Sequence, residues 1–189
     1  MKSRLIPLFF NDPRARAVAG VLLFFICFGL LSVGIHFVTE RNTLGSDFYV
    51  FYLAGNNIQN HENPYSTELA QQAQIGIYKR LANPGEDQLG FAYPPYALLP
   101  AAPLLLLPFD WAQAVWMALC IFFLISAVYY SAPRIPIWVI ISLLFFYPVS
   151  FGLILGNFAI PTSAVLIAAF SAITKKRQQS KGLQVLWGF

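Results

Sequence analysis

The chain has 189 residues, of which 58% are hydrophobic and 11% are charged, and its formal net charge is +4. Soluble globular domains carry about 25% charged residues, so this composition excludes a soluble enzyme, a disordered chain and a small disulfide-bonded secreted module. The basic balance does not indicate nucleic-acid binding, because a chain this apolar must bury most of its surface in lipid. The sequence therefore predicts an all-α, polytopic membrane protein.

Four stretches without a formally charged residue predict membrane-spanning helices, at residues 17–38, 111–130, 135–155 and 158–174. About 20 helical residues at 1.5 Å each cross the hydrocarbon core of a bilayer. A shorter apolar run, 96–107, is too short to cross and predicts a re-entrant or juxtamembrane segment. Residues 182–189 predict the start of a further span, so we expect the chain to be the N-terminal part of a longer protein.

The distribution of charge predicts the orientation of these spans. Four basic residues and one acid precede the first span, and four basic residues lie between 175 and 181. The loop at 39–95 instead holds three basic and six acidic residues. The positive-inside rule then places the N-terminus in the cytoplasm and the 39–95 loop outside. We expect a multi-pass protein of a bacterial inner membrane.

The 39–95 loop contains most of the polar side chains and predicts two short helices, near 47–60 and 66–82. Apolar residues recur at three- and four-residue steps in the first and at four-residue steps in the second, as in amphipathic helices. Ser66 is a favourable N-cap for the second helix. The following NPGEDQLG segment, residues 83–90, is loop by composition.

Several motifs occur in a particular order along the chain: GSDFYVFYLAG (45–55), ENPY (62–65), FAYPPYALLPAAPLLLLP (91–108), A-x-x-x-W (112–116) and LGNFAIPTS (155–163). Together they resemble glycosyltransferase family 87 of the GT-C superfamily, which includes polyprenol-phosphate-mannose-dependent mannosyltransferases. The resemblance covers about residues 15–189. It implies a GT-C-like helical bundle with a large first extracytoplasmic loop, and a hexosyltransferase of mannosyltransferase type that inverts configuration. The implied partners are membrane lipid, a polyprenyl-phosphate sugar donor and a glycan or glycolipid acceptor, with no cofactor and no metal.

The resemblance also implies a catalytic residue. In that superfamily a carboxylate of the first loop acts as general base on the acceptor hydroxyl, and Asp47 is the matching acid. The alternative is that Asp47 is an ordinary helix N-cap. Asn157 stands where the family usually has glutamine, so it is a candidate for binding substrate, whereas Gly152 and Gly156 also fit a small-xxx-small helix-packing pattern.

Six further side chains are candidates for substrate binding, the aromatic ones towards a sugar and the basic ones towards a lipid phosphate. The basic residues could equally be solvated or contact lipid head groups. Tyr93, the first residue of the YPPY sequence, could instead shape the re-entrant segment. The six candidates are Tyr49, Tyr52, Tyr93, Arg41, Lys79 and Arg80.

Two other classes of function remain open at this point. A transporter or channel subunit would place ionisable residues inside its spans, whereas all four predicted spans lack them. A non-catalytic or truncated membrane scaffold is compatible with everything in the sequence. Cys27 and Cys120 lie in apolar runs and are expected to be buried hydrophobes, and His36 and His61 are too isolated to form a metal site.

Overall fold

A computed structural model describes residues 12–187 of the chain, with side chains as far as residue 176. The described part contains seven α-helices and two short 3₁₀ helices, Pro95–Leu98 and Ala102–Leu106, and no strand. The α-helices are α1 Pro13–Thr39, α2 Ser46–Gln59, α3 Thr67–Tyr78, α4 Phe109–Ser131, α5 Ile137–Phe145, α6 Tyr147–Leu155 and α7 Ala159–Trp187. The chain is thus an all-α membrane protein.

Helices α1 and α4 are long and apolar enough to cross a membrane. Helix α1 starts four residues before the predicted span, because the Asp12 carboxylate accepts a hydrogen bond from the Arg14 amide (2.8 Å) and Pro13 occupies the first turn. Helix α4 is the central element and packs against both α1 and α7. Near one end of α1, His36 stacks on Trp111 of α4, with 3.9 Å between ring centroids.

The two helices differ in how much of their surface is covered by protein. Only 6% of the apolar stretch of α1 is buried, against 50% of that of α4. Cys120 on α4 is buried as expected, whereas Cys27 on α1 is exposed, so the expectation that Cys27 is buried in protein is wrong. Helix α1 therefore presents an apolar surface suited to contact with lipid.

The predicted span 135–155 is two helices in the structure. Helices α5 and α6 are bent by 64° at Phe146, whose backbone is extended (φ −65°, ψ 123°), and they qualify as a membrane span only if the bent pair is taken as one. Pro148 has no amide hydrogen to donate to the carbonyl of Leu144, so one continuous helix is disfavoured here. Apolar periodicity alone does not reveal such a break.

The last predicted span, 158–174, is the first part of α7, and the helix continues through the basic segment to Trp187. Where the sequence predicted a basic loop followed by a new span at 182–189, the structure has one helix, and residues 188 and 189 lie outside the described part. Within the described residues, two helices, or three if the bent pair is one span, are candidates to cross a membrane by length and composition.

The loop between α1 and α4 is folded onto the helix bundle. Helix α2 packs on α3, α4 and α6 as well as on the 3₁₀ helices. Helix α3 begins after Ser66, whose hydroxyl accepts a hydrogen bond from the Leu69 amide (3.2 Å), and ends four residues earlier than predicted because Lys79 adopts a left-handed conformation (φ 61°). The 96–107 segment forms the two 3₁₀ helices, in which Leu98 and Leu104 are buried.

Two groups of buried side chains hold the fold together. One joins Phe48 of α2 to Trp116 of α4 and to the α6–α7 region, and the other joins Phe51 of α2 to α3 and to Phe91. Phe158 contacts both groups, since its ring lies 4.0 Å from that of Phe51 and 4.4 Å from that of Trp116. The loop helices and the bundle therefore share one continuous aromatic core.

Candidate functional site

Asp47 lies in the first turn of α2, at the point where the loop helices meet the bundle. The residue that caps α2 is Gly45, and no side chain bonds to the helix amides at that end. The Asp47 carboxylate instead accepts a hydrogen bond from the side-chain amide of Asn157, with 2.6 Å between Oδ2 and Nδ2. The alternative that Asp47 is an ordinary N-cap is therefore wrong.

Asn157 is oriented by its own backbone surroundings. Its Oδ1 accepts a hydrogen bond from the Ala159 amide at the start of α7 (2.7 Å), so the NH₂ group must point the other way, towards Asp47. The preceding residue, Gly156, ends α6 in the left-handed region (φ 67°), and a Cβ there would lie 2.7 Å from the Cβ of Phe48. Glycine at 156 thus lets α2 approach closely enough for the Asp47–Asn157 contact.

Two polar side chains of α4 hold the backbone on either side of this contact. Gln113 is 1% exposed and donates from Nε2 to the carbonyls of Thr39 (3.1 Å) and Asn42 (3.0 Å). Its Oε1 accepts a hydrogen bond from the Gly45 amide (3.3 Å). Trp116 donates from Nε1 to the carbonyl of Gly156 (2.8 Å). Helix α4 therefore fixes both the chain before Asp47 and the chain before Asn157.

Asp47 faces a small cleft of about 240 Å³ between α2 and the segment 87–93. A second carboxylate, Asp87, lines the same cleft. Its Oδ1 accepts a hydrogen bond from the Leu89 amide (2.9 Å). Tyr93 lines the cleft as well, and its ring lies 4.8 Å from that of Phe51. Among the described residues, no group of three histidine, cysteine or acidic side chains is placed to hold a metal ion.

The pKa of Asp47 is raised above its usual value, and the main cause is the loss of solvent around the half-buried carboxylate. The hydrogen bond from Asn157 acts against this, because it stabilises the charged form. The negative charge of Asp87 raises the pKa further, and the Ser46 hydroxyl lowers it by a smaller amount. The net result is a carboxylate that is more basic than a solvated aspartate.

Tyr49 and Tyr52 do not line this cleft. The Tyr52 hydroxyl donates to the carbonyl of Leu107 (2.8 Å) and so ties α2 to the end of the second 3₁₀ helix. The Tyr49 ring packs edge-on against Phe109 at 4.6 Å and fills the space that a Cβ on Gly76 would need. Loss of solvent, and secondarily Tyr52, raises the pKa of the Tyr49 phenol. Both tyrosines contact protein, and of the predicted tyrosines only Tyr93 is at the cleft.

The three basic candidates also lie away from the Asp47 cleft. Arg80 forms a two-pronged ion pair with Glu86, at 2.7 and 2.6 Å, which lowers the pKa of that carboxyl to about 2. Lys79 donates from Nζ to the carbonyl of Gly76 (2.8 Å). The side chain of Arg41 is 89% exposed beside Glu40. The structure thus brings together Asp47, Tyr93 and Asn157 from the predicted set, and leaves the other five apart.

Three residues of the site are not among the candidates from sequence reasoning: Asp87, Gln113 and Trp116. Asp87 stands in a segment whose composition indicates only a loop. Gln113 has a detectable signal, because an uncharged amide near the start of an apolar span needs buried hydrogen-bond partners. Trp116 stands out in the sequence only as part of the A-x-x-x-W motif, and its bond to Gly156 depends on the packing of α4 against α6.

Comparison with known proteins supports the motif resemblance. The family model described as glycosyltransferase family 87 matches residues 91–186, which is about half of the chain. The chain belongs to glycosyltransferase family 87. Family membership and the apolar helices together make it a membrane glycosyltransferase. No curated protein and no solved structure gives a significant match. The matched part of this family 87 chain contains Tyr93 and Asn157, and Asp47 precedes it.

Proposed function

We propose that this family 87 chain moves a hexose, of the mannose type, from a polyprenyl-phosphate sugar to an acceptor hydroxyl, with Asp47 as the general base. The observation that carries the proposal is the Asp47 carboxylate itself. It opens onto a cleft, its pKa is raised by partial burial, and its orientation is held by the amide of Asn157. A general base at neutral pH needs this combination of raised basicity and fixed position.

The reaction balances with these groups alone. As Asp47 accepts the proton of the acceptor hydroxyl, the acceptor oxygen forms a bond to the anomeric carbon. The bond from that carbon to the phosphate oxygen breaks, and polyprenyl phosphate leaves with both electrons of the bond. Attack from the face opposite the leaving group inverts the configuration at the anomeric carbon. Because the leaving group is a lipid phosphate, no nucleotide-binding domain is required.

The positions of Asp47 and its neighbours along the chain fit a lipid-linked donor. Asp47 follows α1 by eight residues, and α1 is long and apolar enough to cross a membrane. The carboxylate is therefore near one end of a span, where a polyprenyl-phosphate head group would lie. The acidic balance of the 39–95 loop against the basic flanks supports an extracytoplasmic location for this end, in a bacterial inner membrane.

Transfer measured with two matched variants tests the proposal. The wild-type chain in lipid nanodiscs receives radiolabelled polyprenyl-phosphate mannose and a glycolipid extract as acceptor, and the incorporated label is counted. Asp47→Asn is expected to reduce transfer by at least about 100-fold, the lower end of general-base contributions. Asp87→Asn removes the other carboxylate of the same cleft and is expected to retain transfer.

Each alternative result is informative. Transfer by Asp47→Asn at the wild-type rate would refute the assignment of the base. Loss in Asp87→Asn together with retention in Asp47→Asn would assign the base to Asp87 instead. Both variants replace a carboxylate by an amide of nearly the same shape, and melting temperatures equal to that of the wild type would show that a loss of transfer does not come from unfolding.

A further inference from the structure

The loop between α1 and α4 holds a second cleft, larger than the one at Asp47. It has a volume of about 420 Å³ and lies between the N-terminal half of α3 and the segment 81–91. None of the residues that line it carries a formal charge, and three of them are glutamines. Sites for small molecules occupy about 300–1,000 Å³, so the second cleft falls within this range and the Asp47 cleft, at about 240 Å³, falls below it.

The walls of the second cleft are fixed by internal hydrogen bonds. Gln74 is 5% exposed, donates from Nε2 to the carbonyl of Gln88 (2.8 Å) and accepts at Oε1 from the Ala82 amide (2.9 Å). These bonds hold the segment 82–88 against α3. On the other side, the Tyr65 hydroxyl donates to the carbonyl of Tyr93 (2.8 Å). The cleft is therefore formed before any ligand arrives.

Two polar side chains of the lining remain available to a ligand. Thr67 and Gln71 are one turn apart on α3, both are exposed, and neither side chain forms a hydrogen bond to another described residue. The half-exposed ring of Tyr65 lies beside them, with Phe91 behind it at 5.6 Å between ring centroids. A hydroxyl, an amide and an aromatic face are the groups that match the hydroxyls and the C–H face of a sugar ring.

The charges around the cleft favour a neutral ligand. Arg80, which directly precedes the lining residue Leu81, is already paired through both of its terminal nitrogens with Glu86. An anionic ligand such as a lipid phosphate would thus find no free cation in the lining. An uncharged carbohydrate needs none.

The second cleft adjoins the Asp47 cleft, because Gly90 lines both. We propose that the second cleft binds a neutral sugar residue of the acceptor glycan, while the reacting hydroxyl of the same acceptor extends past Gly90 to Asp47. This assignment rests on the proposed function. The Asp47 cleft is too small to hold the whole acceptor, so the second cleft holds the part that does not react. The amide of Gln71 is the specific contact to that sugar.

A binding experiment that needs no transfer tests the assignment. The full chain in nanodiscs is applied to an array of neutral and anionic oligosaccharides, with Gln71→Leu and Gln72→Leu beside the wild type. Gln72 is the matched control, since it is an exposed neighbour on α3 that does not line the cleft. We expect at least one neutral oligosaccharide to bind, with affinity at least 10-fold weaker in Gln71→Leu and unchanged in Gln72→Leu. Binding confined to anionic oligosaccharides, binding to none, or equal binding by all three proteins would overturn the proposal.

The test of sugar binding in the second cleft can be separated from the test of the proposed transfer reaction. Asp47→Asn is expected to bind the same oligosaccharide as the wild type, because Asp47 does not line the second cleft. If the wild type binds through Gln71 yet transfers no sugar, the proposed function fails and the cleft stands. If the wild type transfers sugar and Gln71→Leu leaves the KM for the acceptor unchanged, the cleft assignment fails and the reaction stands.

Discussion

The hydrogen bond from Asn157 to Asp47 gives a prediction about pH. Replacing Asn157 by serine removes the amide that reaches Asp47 but keeps a side-chain oxygen able to cap α7, as Oδ1 of Asn157 now does at the Ala159 amide. Serine and asparagine cap helices about equally well. The substitution therefore isolates the contact with the carboxylate from the structural role of the residue.

The size of the effect follows from the charge of the Asp47 carboxylate, which accepts this hydrogen bond. A hydrogen bond to a charged group contributes about 1.5–3 kcal/mol, and solvent reaches the half-buried Asp47, so we take about half of that range. Losing the bond removes this stabilisation of the charged form, so the pKa of Asp47 rises. A general base acts in its charged form, so the acidic limb of the kcat/KM profile should move to higher pH.

The assay is the pH dependence of kcat/KM for sugar transfer, measured for the wild type, Asn157→Ser and Asn157→Asp. The aspartate variant also keeps a capping oxygen but replaces the donor amide by a second carboxyl group facing Asp47. Two adjacent carboxyl groups resist ionising together, so the acidic limb of this variant should move further to higher pH than that of the serine variant. An acidic limb at the same pH in the wild type and Asn157→Ser would refute the reasoning, even if the rates differed. A purely structural role for Asn157 would lower the rate at every pH alike.

Two further predictions follow from the same surroundings. Asp87→Asn removes the charge that raises the pKa of Asp47 and should move the acidic limb of kcat/KM to lower pH, opposite to the Asn157 variants, whereas an unchanged limb would show that the two carboxylates do not interact. Gln113→Leu leaves the buried amide of Gly45 without its partner, whereas the carbonyls of Thr39 and Asn42 keep the amides of Asn42 and Leu44 as donors. One buried donor left unpaired costs about 1–3 kcal/mol, so the substitution should lower the midpoint of thermal unfolding in nanodiscs. Leu119→Met, a volume-conserving change further along α4, is its control, and equal midpoints for the two variants would contradict this role for Gln113.

Much of the fold can be predicted from residue patterns because it depends on local properties. A helix start needs only a capping side chain and its neighbours, so Ser66 is enough to predict the beginning of α3. The predicted end of the same helix is too late, since Leu81 continues the apolar spacing while Lys79 turns the backbone into the left-handed region. The break at Phe146 escapes prediction for a similar reason, because the apolar pattern runs through it.

The candidate site can be predicted only in part. Asp47 is identified because it follows the first span within the GSDFYVFYLAG motif, and Asn157 because it lies in the LGNFAIPTS motif. Neither motif indicates that the two side chains form a hydrogen bond with each other. Of the other candidates, Tyr52 and Arg80 are engaged by protein groups, Leu107 and Glu86 respectively. Whether a side chain is exposed, and which group it forms a hydrogen bond with, depends on tertiary packing. The spacing of motifs does not indicate this packing.

The sequence by itself determined that this protein is a helical membrane protein of glycosyltransferase family 87, because hydrophobic burial acts on local composition and the motifs lie in a characteristic order. Only the tertiary structure decided which groups surround Asp47. The Asp47–Asn157 bond joins residues 110 positions apart, and it exists because Gly156 allows a close approach and α4 holds both backbones in place. Hydrogen bonds between distant residues require the whole core to be packed, so they are properties of the fold.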